Sequence, residues 1–290
     1  MSRRTLFDKC SLYEHTLAGE YLSWVENWNN RHPADGFRGR RIGGSENAPV
    51  TTVAGPRGAI INETLGLGVS EPITDEQLNE VESVCDEAGA SDAIVEIAPP
   101  ADDRAFALLA ARGFRMRNFL HVYFAEMSEI HFEAEPDGIV FEAVDKSDDE
   151  AVELASRLVA LGMQGLDDGE PDPHQLTVCR QVVGCPRTLT VTASISGRLA
   201  GASSAGVWFD HPLSPAHVNL VQGSTLPWAR RRGVQRGLML ERLRICRDLG
   251  AVTASLDCEP KAGTQRNAPR VGFDLIYTKA VFHKPLTARG

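Results

Sequence analysis

The sequence lacks several patterns that mark well-known kinds of site. No C-x-x-C pair occurs among the six cysteines, so the spacing of a zinc site is absent and we expect no metal. No apolar run approaches the ~20 residues that cross a bilayer, so we expect no contact with a membrane. The net charge is −9, whereas large nucleic-acid-binding surfaces are basic, so we expect no nucleic-acid partner.

The cysteines are scattered along the chain, and no apolar segment follows the basic N-terminal residues as it would in a secretion signal. A disulfide framework is not expected in a chain of this size and type. We therefore expect reduced thiols and a cytoplasmic location.

Apolar residues follow both the strand period and the helix period. Between residues 189 and 196 they alternate with Thr and Ser, which predicts a half-buried strand. From Val234 they fall on one face of a helix that ends at Gly250. The length of 290 residues allows one or two domains. The sequence therefore predicts a soluble α/β protein.

Two stretches of the chain are similar to each other. Residues 85–114 and 246–273 both follow the order helix, Gly, strand, loop, short helix, Gly-Phe, strand. A chance resemblance is the alternative, because this order is common in α/β proteins. We predict a duplicated domain, with domains at residues 1–130 and 139–290 and a linker in the acidic segment 126–138. The aligned residues are Cys85 and Cys246, Gly89 and Gly250, and Gly113-Phe114 and Gly272-Phe273.

The segment 220–237, LVQGSTLPWARRRGVQRG, contains a basic turn before the amphipathic helix. A helix start offers unpaired N–H groups and a partial positive charge, and arginine adds charge-assisted hydrogen bonds. This chemistry suits a pyrophosphate. The turn is not a Walker A loop or a dinucleotide-binding fingerprint, because G-x-x-x-x-G-K-[ST] and G-x-G-x-x-G are both absent.

The first half enters its corresponding helix through residues 68–77, GVSEPITDEQ, which are acidic and contain no arginine. If the basic turn binds phosphate, only the second half does so. We therefore expect the first half to have lost ligand binding and to shape the cleft for a second substrate.

Together with its neighbours, the basic turn resembles motif A of the GNAT acetyltransferases, running from Thr225 to Gly250. Residues 265–277 resemble motif B of the same superfamily, and residues 189–201 resemble its central hairpin. The resemblance covers about residues 139–286, and the first half resembles a degenerate copy. It implies a tandem-GNAT protein of α/β (α+β) class, in which each domain has a mixed, mostly antiparallel sheet flanked by helices.

The resemblance implies acetyl-CoA or another acyl-CoA as the donor. The backbone of Ser224, Thr225 and Leu226 would pair with the pantetheine arm, and Asn267 would also contact the cofactor. Gln235 stands where the family usually has Gly or Ala. Carried over by position, the N–H groups that would hold the pyrophosphate belong to Arg230, Arg231, Arg232, Gly233, Val234 and Gln235.

The reaction implied by the resemblance is the attack of an acceptor amine on the thioester. The family's general-acid tyrosine usually stands four residues before the Gly-Phe pair, where this sequence has Ala268. Asn267 and Tyr277 are candidate substitutes. His217 lies on the strand that leads to motif A, where some relatives keep a general base. Core packing is the alternative role for His217 and Tyr277.

The acceptor would be a small-molecule amine or a peptide amine. The acidic loop 167–172 could attract a cationic amine, or it could simply be solvated. Because Ala268 replaces the usual acid, a non-catalytic acyl-CoA-binding module is the alternative function. A structural α/β protein without a cofactor is a third, and a homodimer is an open option.

Overall fold

The structure is a computed structural model that describes residues 4–132 and 138–286. In the first half, a long helix precedes three strands, and two helices then alternate with two further strands. The elements are α1 (Leu6–Arg31), β1 (Arg38–Ser45), β2 (Ala48–Ala54), β3 (Glu63–Leu65), α2 (Asp75–Ala88), β4 (Asp92–Ile97), α3 (Arg104–Ala111) and β5 (Arg115–Glu126).

The second half repeats this order, with an additional strand at its start and two helices in place of α1. The elements are β6 (Ile139–Ala143), α4 (Asp149–Gln164), α5 (Pro173–Val183), β7 (Thr188–Ile195), β8 (Arg198–His211), β9 (Ser214–Thr225), α6 (Val234–Asp248), β10 (Thr253–Cys258), α7 (Gly263–Val271) and β11 (Asp274–Pro285).

The predicted correspondence between the halves is confirmed, because α2-β4-α3-β5 matches α6-β10-α7-β11 element by element. The four aligned glycines follow the helices of these units with φ between 69° and 111°, a region that a side chain disfavours. They are Gly89, Gly113, Gly250 and Gly272.

The eleven strands form one mixed sheet in the order β1-β2-β3-β4-β11-β5-β10-β9-β8-β7-β6. β11 lies between β4 and β5, two strands of the first half, and β5 lies between β11 and β10. Each half therefore supplies a strand to the other half. The mixed α/β class is confirmed. The limits 1–130 and 139–290 stay a prediction, since the sheet crosses them, and residues 133–137 of the proposed linker lie outside the described residues.

Lys279, on the exchanged strand β11, is fully buried and joins the two halves. Its Nζ lies 2.5 Å from Glu96 Oε2 of β4, 3.4 Å from Asp257 Oδ2 of β10 and 3.8 Å from Glu14 Oε1 of α1. Tyr13 and Tyr277 donate hydrogen bonds of 2.6 Å to Asp257 and Glu14. One ammonium thus pairs with carboxyl groups from three elements, and burial raises the pKa of two of them, Glu14 and Glu96.

Glu20 of α1 makes a second buried link to the other half. Its Oε1 accepts hydrogen bonds of 2.8 Å from Trp208 Nε1 of β8 and Asn219 Nδ2 of β9, whereas Oε2 has no partner among the described residues. Burial raises the pKa of Glu20 from 4.5 to about 8. The unfolded chain therefore loses this proton at lower pH than the folded chain does.

We expect the free energy of unfolding to fall as the pH rises from about 4.5 to 8, by up to about 1.4 kcal/mol per pH unit from Glu20. Glu20→Gln removes this contribution, so the variant should lose less stability over the same range. Urea unfolding at pH 6 and pH 8.5 measures the difference. Glu26→Gln, an exposed site on the same helix, is the control. An unchanged pH dependence in Glu20→Gln would show that Glu20 is ionised in the folded protein.

Three further findings concern membrane-spanning helices, metal-ligand groups and cysteines. Within the described residues, no helix is both long and apolar enough to cross a membrane. In that same part of the chain, no three His, Cys, Asp or Glu side chains are grouped as a metal site would need. All six cysteines are free thiols.

Candidate functional site

The basic turn connects β9 to α6. A 3₁₀ turn over Pro227–Ala229 follows the strand, and Gly233, with φ 88°, is the N-cap of α6. Arg231 also has a positive φ of 63°, which folds the chain tightly at this point. No side chain caps the first turn of α6, and that turn has no acidic residue. Its N–H groups are therefore available to an anion.

The corresponding start of α2 in the first half has the opposite character. Thr74 accepts a hydrogen bond from the backbone of Gln77, and the Gln77 side chain bonds back to the Thr74 backbone, which forms a capping box. Asp75 and Glu76 place negative charge in the first turn. Side chains of this helix thus satisfy part of its N-terminus, and its charge repels anions.

A cleft of about 980 Å³ lies beside the basic turn, and we call it the basic cleft. The ends of α4, β9, α6 and α7 form its walls. Five arginines and no Asp or Glu are among the described residues that line it, although the chain as a whole carries a charge of −9. The arginines are Arg230, Arg231, Arg236, Arg266 and Arg270.

Eight of the ten residues predicted to bind the cofactor line the basic cleft: Ser224, Thr225, Arg230, Arg231, Gly233, Val234, Gln235 and Asn267. Two do not. Leu226 is buried in the core, and its N–H donates to Ala200 O at 2.9 Å. The Arg232 guanidinium lies 5.5 Å from the centre of the Trp228 ring, outside the cleft. The binding role of all ten stays a prediction.

Two of the lining side chains are already used by the fold. Ser224 Oγ donates to Leu158 O of α4 at 3.0 Å. Arg230 donates to the carbonyls of Thr225 and Gly162, at 3.2 and 3.1 Å, and so ties the end of β9 to α4. The charge of Arg230 still faces the cleft, while Arg231, Arg266 and Arg270 are exposed there.

The side chain of Gln235, at the family's usual Gly or Ala position, turns towards α7. Its Nε2 donates to Thr264 Oγ1 at 3.0 Å, and its Oε1 accepts from Asn267 Nδ2 at 2.8 Å. These bonds join the two helices that line the basic cleft. The larger residue therefore packs beside the helix N-terminus without filling it.

A β-bulge in β9 opens the sheet next to the basic cleft. Ser203 pairs with Gly223 and Ser204 pairs with Val221, which leaves Gln222 without a partner at φ 43°. Arg242, buried beneath, donates to the carbonyls of Ser204 and Val221 on both sides of the bulge. β10 pairs with β9 only up to Leu220, so the two parallel strands separate beyond this point.

A second cavity of about 180 Å³, the inner cavity, lies at this opening. Gly223 and Gln235 line both it and the basic cleft. Seven of its seventeen other lining residues come from the first half: Tyr13, Leu17, Tyr21, Trp24, Ile60, Ile61 and Glu63. The first half therefore closes the end of the cleft that begins at the basic turn.

His217 and Tyr277, the other predicted catalytic residues, line neither cavity. His217 is fully buried and contacts Thr253 and Ser255 at 2.8 Å and Asn219 at 3.0 Å, and burial lowers its pKa to about 3. Tyr277 is buried against Glu14. Their catalytic roles stay predictions, and their contacts are those of residues that join core elements.

Ala268, at the family's usual tyrosine position, is fully buried in the core cluster that contains Met239 and Leu256. Those two residues also line the inner cavity, so this position is close to it. The phenolic hydroxyl groups in the inner cavity come instead from Tyr13 and Tyr21 of α1. Sequence reasoning missed both, since they lie some 250 residues away from Ala268 along the chain.

The acidic loop 167–172 is held by local contacts. Asp167 accepts a 2.8 Å hydrogen bond from the Trp228 backbone, Glu170 pairs with Arg157 at 3.0 Å, and Asp172 caps α5. These roles are structural.

The arginines Arg236, Arg266 and Arg270 were not among the predicted site residues, although their spacing on two helices beside the basic turn was a usable signal.

No family model and no curated protein matches the sequence. Solved structures do match it over nearly its whole length. A GCN5-related N-acetyltransferase from Kribbella flavida is 13% identical and superposes with a TM-score of 0.62, covering 95% of this chain and 97% of its own. A tandem GNAT protein from the clavulanic acid biosynthesis pathway is 14% identical, with a TM-score of 0.56 and coverages of 95% and 96%.

A conserved protein of unknown function from Staphylococcus epidermidis is 10% identical, with a TM-score of 0.55 and coverages of 86% and 95%. Identities this low show the fold and leave the reaction open. The order of elements, the internal correspondence and the two tandem-length superpositions agree. The chain therefore has the tandem GNAT fold, with the basic cleft in its second copy.

Proposed function

We propose that the protein transfers an acetyl or other acyl group from acyl-CoA to an amine. The observation that carries this proposal is the basic cleft, whose described lining contains five arginines, an uncapped helix start and no Asp or Glu. Coenzyme A is a polyanion with a pyrophosphate, and these groups are its complement. The backbone of Gly223–Thr225, at the separated strand end, would accompany the pantetheine arm.

When bound, acyl-CoA supplies a thioester as the acyl donor. The amine lone pair attacks the thioester carbon, a C–N bond forms, and the C–S bond breaks. The sulfur takes one proton to become the free thiol, and the nitrogen gives up its excess protons. The chain supports this by positioning both reactants at the inner cavity and by excluding water with the aromatic residues of α1.

Acetyl-CoA should raise the melting temperature of the native protein and should fail to do so in Gly233→Glu. The new carboxylate would stand at the N-cap of α6 and repel the phosphates, so we expect at least a 100-fold loss of affinity. Titration calorimetry measures the affinity directly. Gly233→Ala is the matched control, because it places a side chain at the same positive φ without the charge. Equal binding by Gly233→Glu and native protein would place the site elsewhere.

The second candidate function is a non-catalytic acyl-CoA-binding module, which Ala268 favours. Both functions place the donor in the basic cleft and differ only in turnover. Release of free CoA thiol in the presence of a panel of amines separates them. On the fold and on the free thiols, we propose a cytoplasmic enzyme that acts on a small-molecule or peptide amine.

A further inference from the structure

A third cavity, of about 440 Å³, lies on the far side of the inner cavity from the basic cleft. Tyr21, Ile60, Glu63 and Asp257 line both it and the inner cavity. The three cavities therefore form a series. The basic cleft adjoins the inner cavity at Gly223 and Gln235, and the inner cavity adjoins the third at these four residues.

The third cavity is strongly acidic, and we call it the acidic cleft. Five of its sixteen lining residues are carboxylic acids, and Arg117 is its only lining cation among the described residues. The carboxyl-bearing residues are Glu63, Asp92, Glu96, Asp257 and Glu259.

Lys279 is ion-paired with two of these acids, Glu96 and Asp257. Three remain without an ion-pair partner in the described part of the chain. Asp92 accepts only from the neutral Asn62 and Ser91 side chains, and Glu259 accepts only from Asn118. Because burial raises the pKa of Glu63 to about 8, the negative charge that the fold leaves unpaired in the cleft at pH 7 belongs to Asp92 and Glu259.

Glu63 stands where the acidic cleft meets the inner cavity. Its Oε2 is buried and has no hydrogen-bond partner among the described residues, which is costly for a carboxylate unless a ligand supplies one. Burial and the neighbouring Glu96 raise the pKa of Glu63 to about 8, whereas Arg117 lowers it. Above pH 8 most of Glu63 is ionised, and in that form it can accept a proton from an ammonium group.

We propose that the acidic cleft binds the acceptor, and that the acceptor is a polyamine, meaning an amine with at least two ammonium groups. This inference rests on the proposed acyl transfer. Glu63 receives a proton from the ammonium group that enters the inner cavity, which frees the nitrogen lone pair for attack on the thioester. Asp92 and Glu259 hold the remaining positive charge outside. The overall step consumes the ammonium form and releases the amide, the CoA thiol and one proton.

Binding of two polyamines of different shape, spermidine and neamine, tests the proposal by calorimetry with and without CoA. We expect at least one to bind ten times more tightly than butylamine, which has a single charge. Glu63→Gln and Asp92→Asn should each weaken that binding about tenfold. Glu80→Gln removes an exposed acid on α2, away from the cleft, and should leave it unchanged. The proposal is overturned if neither polyamine binds better than butylamine. It is also overturned if Glu63→Gln and Asp92→Asn both bind polyamine as tightly as the native protein does.

The role of Glu63 in proton transfer has its own measurement. At saturating polyamine, acyl transfer should fall about 100-fold in Glu63→Gln and stay near the native rate in Glu80→Gln. Equal rates in both variants would contradict that role. Stabilisation by acetyl-CoA, measured on the same samples, keeps the two proposals apart. If acetyl-CoA binds and polyamines do not, only the acceptor assignment fails, whereas polyamine binding without acetyl-CoA binding removes the proposed function.

Discussion

Replacing Lys279 with methionine is expected to destabilise the protein by about 3–5 kcal/mol, because it leaves buried carboxylates without their cation. Glu14, Glu96 and Asp257 all lie within 4 Å of the lysine ammonium, and Lys279 itself is fully buried. Methionine fills a similar volume, so the loss reports charge more than packing. Urea unfolding followed by circular dichroism measures it.

The same variant should recover stability as the pH falls. Without the ammonium, the carboxyl pKa values in the folded protein rise, so protonation at lower pH removes the uncompensated charge. Lys284→Met is the control on the same strand, since the partly exposed ion pair between Lys284 and Glu82 should contribute less than about 1 kcal/mol. The double variant Lys279→Met/Glu96→Gln should be more stable than Lys279→Met. Equal losses for Lys279→Met and Lys284→Met would contradict the buried network.

Separate expression of residues 1–130 and 139–290 should give no stable folded monomer of either half. The first fragment lacks β11 between β4 and β5, and the second lacks β5 between β10 and β11. Four consecutive residues of β5, 122–125, are at most 2% exposed in the full chain. Each large apolar side chain that is uncovered costs about 1.5–3 kcal/mol, and a whole domain is stable by only about 5–15 kcal/mol.

We expect each fragment to be unfolded or to form a dimer that exchanges its last strand with its copy. Coexpression should give a one-to-one complex. Light scattering after gel filtration gives the mass, and circular dichroism gives the folded fraction. A folded monomer of residues 1–130 with a cooperative unfolding transition would show that β5 can close its own half of the sheet.

Local sequence features predicted the parts of the molecule that depend on local chemistry. The basic turn, the helix start at Gly233 and the helix ends at Gly89 and Gly250 all follow from residue types within a few positions. The capping box that joins Thr74 to Gln77 is equally local, since it depends on two residues three positions apart.

Features with weak local signals were predicted poorly. Residues 59–67, AIINETLGL, are largely apolar, but only Glu63–Leu65 form a strand, and turns lie on both sides of the segment. The hairpin of β1 and β2 lies in a region rich in Gly and Arg that suggested a loop with short strands. The hairpin packs against α1 and pairs with β3, and the sequence of the hairpin itself indicates neither contact.

Only the part of the candidate site that is built from neighbouring residues could be predicted from the sequence. The arginines of the basic turn are neighbours in sequence, whereas Glu63 and Gly223, which line the same inner cavity, are 160 positions apart. The exchange of β5 and β11 was equally hidden. Period-two alternation shows that a segment is a strand, and it does not identify the neighbouring strand.

The position of β11 in the sheet also sets a delay during synthesis. About 180 residues separate β4 from β11, which pairs with the edge of β4 opposite β3. At about 5–20 residues per second, the ribosome needs on the order of 10–40 s to produce them. Throughout that interval the edges of β4 and β5 that face β11 have no permanent neighbour, and unpaired edges recruit other chains. The nascent first half is therefore the stage at which this protein is most exposed to aggregation and most dependent on chaperones.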